Sequence, residues 1–436
     1  MLRRDFIARA VGGSVFSILS SSTLGRAGAV APGSRIGMGF IGLGGQGTGH
    51  LLGGAWTYVP GGYVGRDDVQ VLAVCDVRRD RRDAARERCN QAYASKFGMG
   101  EYDSVEAYND FREVIARPDI DAVLLALPYH WAAKMATMAA SAGKDVYCEK
   151  PVCITVHEGR ILSDTVRRHG RIYQAGTQQR SEYGGRFWMA RELVRNGCIG
   201  DLKDVYAYRP PGAFYPPGGA IGKPQAVPEG FDWDLWLGPL PWQPYCGSAG
   251  HALPGNFVGD VNWSPHHYDF IQWVLAADRG GPTSVEWEPS SGADGGVGIV
   301  HYHYPGGVVV HSVPYPGERI GEVGGACFVG TEGRIAVDRE SIRMSPERLW
   351  DLSKQVRRWR RSPPQSHANN FIEGVRTRRN PICDAETAHR SMSAILVGGI
   401  AIALQRSVVW DPADETFVGD AEANRLLSYA CRAPWA

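Results

Sequence analysis

From Arg35 onward, short apolar runs alternate with longer stretches whose apolar positions recur at helical spacing. Ile36-Gly37-Met38-Gly39-Phe40-Ile41 reads as a first strand running into a glycine turn, and Val69 to Val74 as a second that ends at Cys75-Asp76. A charged helix is expected over 79–93. Ala122 to Leu127 is continuously apolar, the pattern of a parallel strand buried on both faces, and Pro128 ends it. Helical spacing follows over 131–142, then a strand at 145–148, a helix over 156–169 and a short strand at 171–175. Such alternation specifies a parallel sheet with helices on both faces, here placed at 33–177.

After Thr177 the texture changes. Pro210 to Pro228 is rich in Pro and Gly, and a Trp-rich stretch follows. Val297–Tyr304 and Val308–Val313 read as strands joined by Pro305-Gly306-Gly307, a hairpin signal. Pro363-Pro364 marks a loop before a helix at His367–Thr377. The expectation for 178–436 is a second α/β domain with a mainly antiparallel sheet.

Composition narrows the function classes. A net charge of +1 over 436 residues gives no general attraction to nucleic acid or acidic membranes. Nine cysteines without a CxxC pair argue against a zinc site or disulfide scaffold; Cys148 and Cys153 could pair or simply be small buried residues. At the start, Arg3-Arg4-Asp5-Phe6-Ile7 precedes a weakly apolar stretch from Ala10 to Leu24 and small residues at Ala27-Gly28-Ala29 and Ala29-Val30-Ala31. That stretch is too short and polar for stable membrane insertion, and 1–31 resembles a twin-arginine export signal. The expected partner is the twin-arginine export machinery, and the expected location is periplasmic or secreted.

Three motifs carry chemistry. In Gly42-Leu43-Gly44-Gly45-Gln46-Gly47, Gly42 permits a tight turn, Gly44 lets backbone approach a pyrophosphate and Gly47 allows close helix packing. Asp76, ending the second strand, is the expected acid for the adenosine ribose and favours NAD, while Arg78 and Arg79 leave NADP open. Gly47 and Asp76 are 29 positions apart, against about 20 in the usual fingerprint; the glycine-rich segment Gly53–Asp68 reads as an inserted loop. The second motif is Glu149-Lys150-Pro151, at the end of a buried strand where ligands collect in open α/β sheets. The third is Asn262-Trp263-Ser264-Pro265-His266-His267-Tyr268-Asp269, in which His266 is a candidate general base. His301 and His303 share a strand face and could chelate, although strand histidines are mostly structural; no metal site is assigned.

Together these motifs make the chain similar to the Gfo/Idh/MocA oxidoreductases, the relatives of glucose–fructose oxidoreductase and inositol dehydrogenase. Gln178-Gln179-Arg180-Ser181, Phe231-Asp232-Trp233-Asp234-Leu235-Trp236-Leu237-Gly238-Pro239, Pro381-Ile382-Cys383-Asp384-Ala385-Glu386-Thr387 and Trp410-Asp411-Pro412 resemble its secreted bacterial members. The resemblance implies a doubly wound Rossmann domain followed by an α/β domain whose large open sheet covers the nicotinamide and often mediates homo-oligomers. It implies NAD or NADP contacts from Gly42, Gly44, Gly45, Gln46, Gly47, Asp76, Arg78, Pro128, His130, Glu149 and Lys150. It implies substrate contacts from Lys150, Gln178, Asn262, Trp263, His266 and His267. Lys150 would bond the reacting oxygen and His266 would take its proton. Asn262 stands where the family usually has aspartate, with Asp260 or Asp269 as candidate substitutes for the charge. Tyr129-His130-Trp131-Ala132 replaces the commoner Asp-His-Trp-His.

The resulting expectation is an exported NAD(P)-dependent oxidoreductase acting on a sugar or polyol hydroxyl, with a tightly held cofactor regenerated in place. A redox-neutral glycoside hydrolase and a non-catalytic sugar- or nucleotide-binding protein are the alternatives. Seven tryptophans between Trp188 and Trp287 suit sugar faces, but Trp233 and Trp236 read better as core anchors and Trp263 as the ligand contact. The run Arg357-Arg358-Trp359-Arg360-Arg361 reads as a solvated or subunit-facing basic face.

Overall fold

A computed structural model of the chain describes residues 32–54, 57–207, 223–247, 262–289, 298–317, 325–359 and 366–435. The export signal at 1–31, Asp260, Pro363-Pro364 and most of Pro210–Pro228 lie outside the described residues, as do the side chains of the arginine run at 357–361.

The first half is built on β1 (Ile36–Ile41), β2 (Val69–Cys75), β3 (Glu106–Tyr108), β4 (Ala122–Leu125), β5 (Asp145–Cys148) and β6 (Tyr173–Ala175). They form one parallel sheet in the order β3-β2-β1-β4-β5-β6. The connecting helices are α1 (Gly45–Leu52), α2 (Arg79–Phe97), α3 (Phe111–Ala116), α4 (Tyr129–Ser141) and α5 (Val156–Arg168). Every residue of β1, β4 and β5 is buried, as a sheet covered on both faces requires. The strand order reverses between β1 and β4, so the chain leaving their carboxyl ends opens a crevice.

The expected strand at 122–127 stops two residues early. Ala126 still donates its N–H to Ile41, at 3.0 Å, but with Leu127 it turns out of the sheet into the crevice wall. Pro128 then caps α4, which begins at Tyr129 rather than Trp131. Helix α2 runs four residues past its expected end because Gly98 supplies the left-handed residue that closes it.

The second half contains α6 (Arg186–Arg195), β7 (Leu202–Ala207), α7 (Trp233–Leu237), α8 (Ser264–Val274), β8 (Ser284–Glu288), β9 (Ile299–His303), β10 (Val309–His311), β11 (Ala326–Gly330), β12 (Arg334–Val337) and β13 (Ile342–Ser345). It continues with α9 (Arg348–Trp359), α10 (His367–Thr377), α11 (Ala385–Leu404), β14 (Val408–Asp411) and β15 (Thr416–Phe417). Its nine-stranded sheet has the order β13-β12-β11-β7-β10-β9-β8-β14-β15 and is antiparallel except where β7 meets β10. The glycine turn joins β9 and β10 as the hairpin signal required. Helix α10 has its expected bounds, and the Ser366 hydroxyl caps it by accepting from the Asn369 N–H.

Helix α11 is apolar and long enough to cross a membrane, yet it is the buried core helix, packed on α5 and α8. A buried ion pair fixes α8 from beneath: Arg180 Nε and Nη2 reach the two Asp269 carboxylate oxygens at 2.7 and 2.9 Å. Trp233 and Trp236 stack at 4.8 Å; Trp233, whose Nε1 donates to the Gln243 carbonyl, is buried as a core anchor, whereas Trp236 is half-buried and lines a cavity. All nine cysteines are free thiols, Cys148 and Cys153 included.

Candidate active site

At the end of β1 the chain turns through Gly42, whose φ of +88° a side chain would strain; a Cβ there would also lie 2.2 Å from the Ala126 carbonyl oxygen. At Gly47 a Cβ would lie 1.8 Å from the Gly42 carbonyl oxygen, so the first turn of α1 can close only over glycine. Gly44 and Gly45 differ: a Cβ on Gly45 meets nothing within 4 Å, and one on Gly44 meets only the Arg81 guanidinium at 3.6 Å. Their backbone faces open space at a helix N-terminus, the arrangement a pyrophosphate needs.

Asp76 holds this turn. Its Oδ2 accepts the Leu43 N–H at 2.7 Å, and its Oδ1 accepts the Arg78 N–H at 2.9 Å. The adjoining cavity, about 250 Å³, is lined by Gly42, Gly44, Asp76, Arg81, Pro128 and Trp236 among others. These groups fit a dinucleotide.

Of the expected cofactor contacts, Gly42, Gly44, Asp76 and Pro128 line it, whereas Gly45, Gln46, Gly47, Arg78, His130, Glu149 and Lys150 do not. The Arg78 guanidinium is drawn away by Asp80 at 2.8 Å and lies over the Phe231 ring, so only its backbone serves the turn. Arg79 is near Glu229, and Arg81 is the arginine that reaches the crevice. His130 is buried beneath, where its Nε2 donates to the Trp236 carbonyl at 2.9 Å and secures the segment carrying α7.

Strand β5 delivers Glu149 and Lys150 beside the crevice. Glu149 is 7 % exposed, and its Oε1 accepts from His50 Nε2 at 2.7 Å, Gln178 Nε2 at 2.8 Å and Gln46 Nε2 at 3.2 Å. Burial pushes this carboxyl up, but the His50 hydrogen bond and the neighbouring His50 and Lys150 outweigh it and hold the group below the usual carboxylate range. Lys150 extends the other way. Its Nζ donates to the Asn262 backbone carbonyl at 2.8 Å and to Asn262 Oδ1 at 3.1 Å.

A second cavity, about 350 Å³, opens there. Gln46, Tyr129, Lys150, Gln178, Asn262, Trp263, His266, Tyr183 and Arg339 contribute to its wall. Ala126 and Leu127 line both cavities, so the two adjoin. His266, in the first turn of α8, is buried, and its Nδ1 has no hydrogen-bond partner among the described residues. Burial first, then the positive charges of Lys150 and Arg339 and the neighbouring His267, hold its pKa well below the ordinary histidine value. Asp269 cannot supply a counter-charge, because both its oxygens are committed to Arg180.

His267, expected to touch substrate, does not line the cavity. One residue further around α8, it is 1 % exposed and donates from Nδ1 to the Gly325 carbonyl at 2.6 Å. His301 and His303 face other partners: His301 Nδ1 lies 2.7 Å from His311 Nδ1, and His303 Nε2 lies 3.2 Å from Glu286. Among the described residues no three His, Cys, Asp or Glu side chains converge on a metal position.

Two family models match the chain: an oxidoreductase-family NAD-binding Rossmann fold over residues 36–177, and an oxidoreductase-family C-terminal alpha/beta domain over 194–436. The chain belongs to the GFO/IDH/MocA oxidoreductase family. A glycosyl hydrolase family 109 protein of Shewanella sp. (strain ANA-3) is 30% identical over 167 residues, 38% of this chain and 33% of that protein. The chain spans about a third of the length of the curated relatives it matches. Among solved structures, the WlbA dehydrogenase of Chromobacterium violaceum, in complex with NADH and UDP-GlcNAcA, aligns with a TM-score of 0.57 at 16% identity, over 86% of this chain and 96% of that one. The aldose-aldose oxidoreductase of Caulobacter crescentus, complexed with glycerol, aligns with a TM-score of 0.54 at 18% identity, over 86% and 99%. At these identities the likeness is one of fold.

Within this GFO/IDH/MocA framework four residues of the site escaped sequence reasoning. His50 had a usable signal, since it lies four positions after Gln46 on α1 and so shares its face. Arg81 sits one helical turn from the Arg78 that drew attention instead. Tyr183 follows the Gln178-Gln179-Arg180-Ser181 stretch closely, but nothing in its neighbourhood marks it. Arg339 comes from the turn after β12 and reaches the site only through the fold of the second domain.

Proposed function

We propose that this oxidoreductase acts on a hydroxyl of a sugar or polyol, with NAD as the favoured cofactor. The observation that carries the reading is the place of His266: a buried imidazole that lines one cavity with Lys150, against the dinucleotide crevice. A hydroxyl entering this cavity lies between an ammonium and a neutral imidazole. His266, kept uncharged by burial and by two nearby cations, is in the form that accepts a proton. Lys150 donates to the same oxygen and stabilises the negative charge that grows there as the proton leaves. Asn262 keeps the ammonium in place and offers amide groups to an adjacent hydroxyl. A nicotinamide dinucleotide in the crevice would supply the hydride acceptor. The Asp76 carboxylate at its mouth opposes a 2′-phosphate, while Arg81 is placed to meet one.

In this reading the twin-arginine-like segment at 1–31 supports a location outside the cytoplasm. Free nicotinamide dinucleotide is not replenished there, so the cofactor stays bound and is restored in the same site. The likeness to glycosyl hydrolase family 109 favours a second course on the same residues, in which a glycoside would be oxidised transiently, eliminate its aglycone, add water and be reduced again, with no net change in a bound nicotinamide. Denaturing the purified protein should release one nicotinamide dinucleotide per active site. A panel of sugars, polyols and glycosides, followed by both nicotinamide absorbance and product analysis, separates the two courses. Product without net absorbance change indicates the glycosidase, a stoichiometric change indicates the dehydrogenase, and absence of both removes the proposal.

A further inference from the structure

The dinucleotide crevice is walled from both halves of the chain. Asp76, Phe111 and Trp131 belong to the parallel-sheet half, whereas Leu235 and Trp236 come from α7 of the second. Asp76, at the end of the second strand, marks this as the adenosine end of the site.

Segment 230–239 is pinned across the first domain. The Arg79 N–H donates to the Gly230 carbonyl at 2.8 Å, and the Asp232 N–H to the Val77 carbonyl at 2.9 Å. Asn109 Nδ2 donates to Asp232 Oδ2 at 2.9 Å, and the other oxygen of that carboxylate caps α7 by accepting the Leu235 N–H at 2.9 Å. Trp131 Nε1 donates to the Leu235 and Trp236 carbonyls, both at 3.0 Å. At Gly238 the segment approaches the Trp131 ring so closely that a Cβ would lie 2.1 Å from Cζ2.

Residues 432–435 hold the same segment from behind. The Arg432 N–H donates to the Pro239 carbonyl at 2.9 Å, its Nε to the Gly238 carbonyl at 3.0 Å and its Nη2 to the Asp234 carbonyl at 3.0 Å, while Nη1 pairs with the Asp234 carboxylate. Trp435 is 8 % exposed and meets the Trp131 ring edge-on at 4.8 Å and the Phe111 ring at 6.3 Å. The Arg112 guanidinium carbon lies 5.2 Å from its centroid. Phe111 and Trp131 both line the crevice, so Trp435 stands behind its apolar wall.

A helix of five residues has no stability of its own, so the place of α7 depends on these contacts. The chain returns after 198 positions to secure this one turn. A dinucleotide seated beneath Trp236 leaves only when the segment moves. Differences in affinity reside mainly in the dissociation rate, so whatever holds the segment also holds the cofactor.

We propose that segments 230–239 and 432–435 form a clasp over the adenosine half of the crevice, in which Arg432 and Trp435 are positioning residues that slow cofactor release. This rests on the crevice being the dinucleotide site and is independent of the sugar chemistry. The full-length protein, loaded with NADH and chased with excess NAD, reports release through the loss of bound-NADH fluorescence. Arg432→Gln and Trp435→Ala should release NADH about 10-fold faster or more, with the association rate unchanged or raised. Trp435→Phe, which keeps an aromatic ring, and Arg432→Lys, which keeps the charge on Asp234, should recover part of the native retention. ADP-ribose, which carries the adenosine half alone, should lose affinity with NADH in Arg432→Gln and Trp435→Ala. Native release rates in both of those variants, a slower association with unaltered release, or an unchanged ADP-ribose affinity would each overturn the clasp and leave the cofactor site standing. Failure of the native protein to bind NADH at all would remove the cofactor reading and the clasp with it.

Discussion

Lys150 Nζ donates to both oxygens of Asn262, the backbone carbonyl at 2.8 Å and the side-chain carbonyl at 3.1 Å. One residue follows β5 of the first domain and the other leads into α8 of the second, so an uncharged side chain links the two halves at the second cavity. Burial first, and then the Lys150 ammonium, disfavour the charged form of His266.

Replacing that partner with a carboxylate should change the proton acceptor. In Asn262→Asp the new charge offsets Lys150 and favours the imidazolium, so the His266 pKa rises toward its ordinary value. The acidic limb of a kcat/KM profile should then move to higher pH. Superimposable limbs for native and variant protein would show that His266 is not the titrating base. Removing the base, in His266→Asn, should lower kcat by about 10²–10⁴.

The glycine turn should respond position by position. Gly47→Ala sets a methyl 1.8 Å from the Gly42 carbonyl oxygen, so the turn must open and dinucleotide binding should be lost or greatly weakened. Gly45→Ala adds a methyl that meets no protein atom within 4 Å and should fold with native stability. Fluorescence titration with NADH and thermal melts of both variants check the contrast. Equal behaviour of the two would contradict the geometry.

Much of this site was legible because it is local in sequence. Gly42 to Gly47, Asp76 and Glu149-Lys150 each close a strand, and a parallel sheet brings strand ends together without further information. What stayed hidden depends on rotation about a helix or on distant chain. His266 and His267 are neighbours in sequence, yet one lines the cavity and the other meets the Gly325 carbonyl. Arg78 and Arg81 both follow Asp76, but Asp80 captures the first and leaves the second for the crevice. Ala126 and Leu127 are as apolar as the strand before them, so the pattern extends the expected strand to 127, whereas the two residues are half-buried and line the crevice. Arg339 depends on a turn in the nine-stranded sheet, and no local pattern marks it.

His50 gives a further test. It donates to Glu149 at 2.7 Å while both are almost fully buried, which links the dinucleotide helix α1 to the strand carrying Lys150. His50→Ala removes a hydrogen bond to a buried carboxylate and should cost about 1.5–3 kcal/mol of stability. With Gln46 and Gln178 still in place, the fold should survive. Without the His50 donor, Glu149 should titrate at higher pH, and NADH affinity should fall more at pH 5 than at pH 8. Urea unfolding and NADH titration at the two pH values measure both effects, and a pH-independent loss of affinity would sever the link.

Acid should destabilise the protein in two separable windows. Burial pushes the His367 pKa down to about 4, with Nε2 donating to the Ala175 carbonyl at 2.7 Å. The unfolded chain, with a histidine pKa of about 6.5, binds a proton that the native site refuses, so stability falls as pH drops from about 6.5 toward the folded value. His266, held neutral in the same way, adds to this window. Glu415 has the opposite character: burial raises its pKa, but hydrogen bonds from His389 and Arg160 dominate and hold it at about 2. Its contribution is present above the unfolded carboxyl value of about 4.3 and is lost as pH falls from there toward 2. Urea unfolding at intervals from pH 7.5 to 2.5 should therefore show stability declining first between about 6.5 and 4 and again below about 4.3. His367→Gln should flatten the upper decline without removing it, since His266 remains, and Glu415→Gln should flatten the lower one alone. A stability that stays constant from pH 6.5 to 4.5 would show that neither histidine is held neutral by its burial.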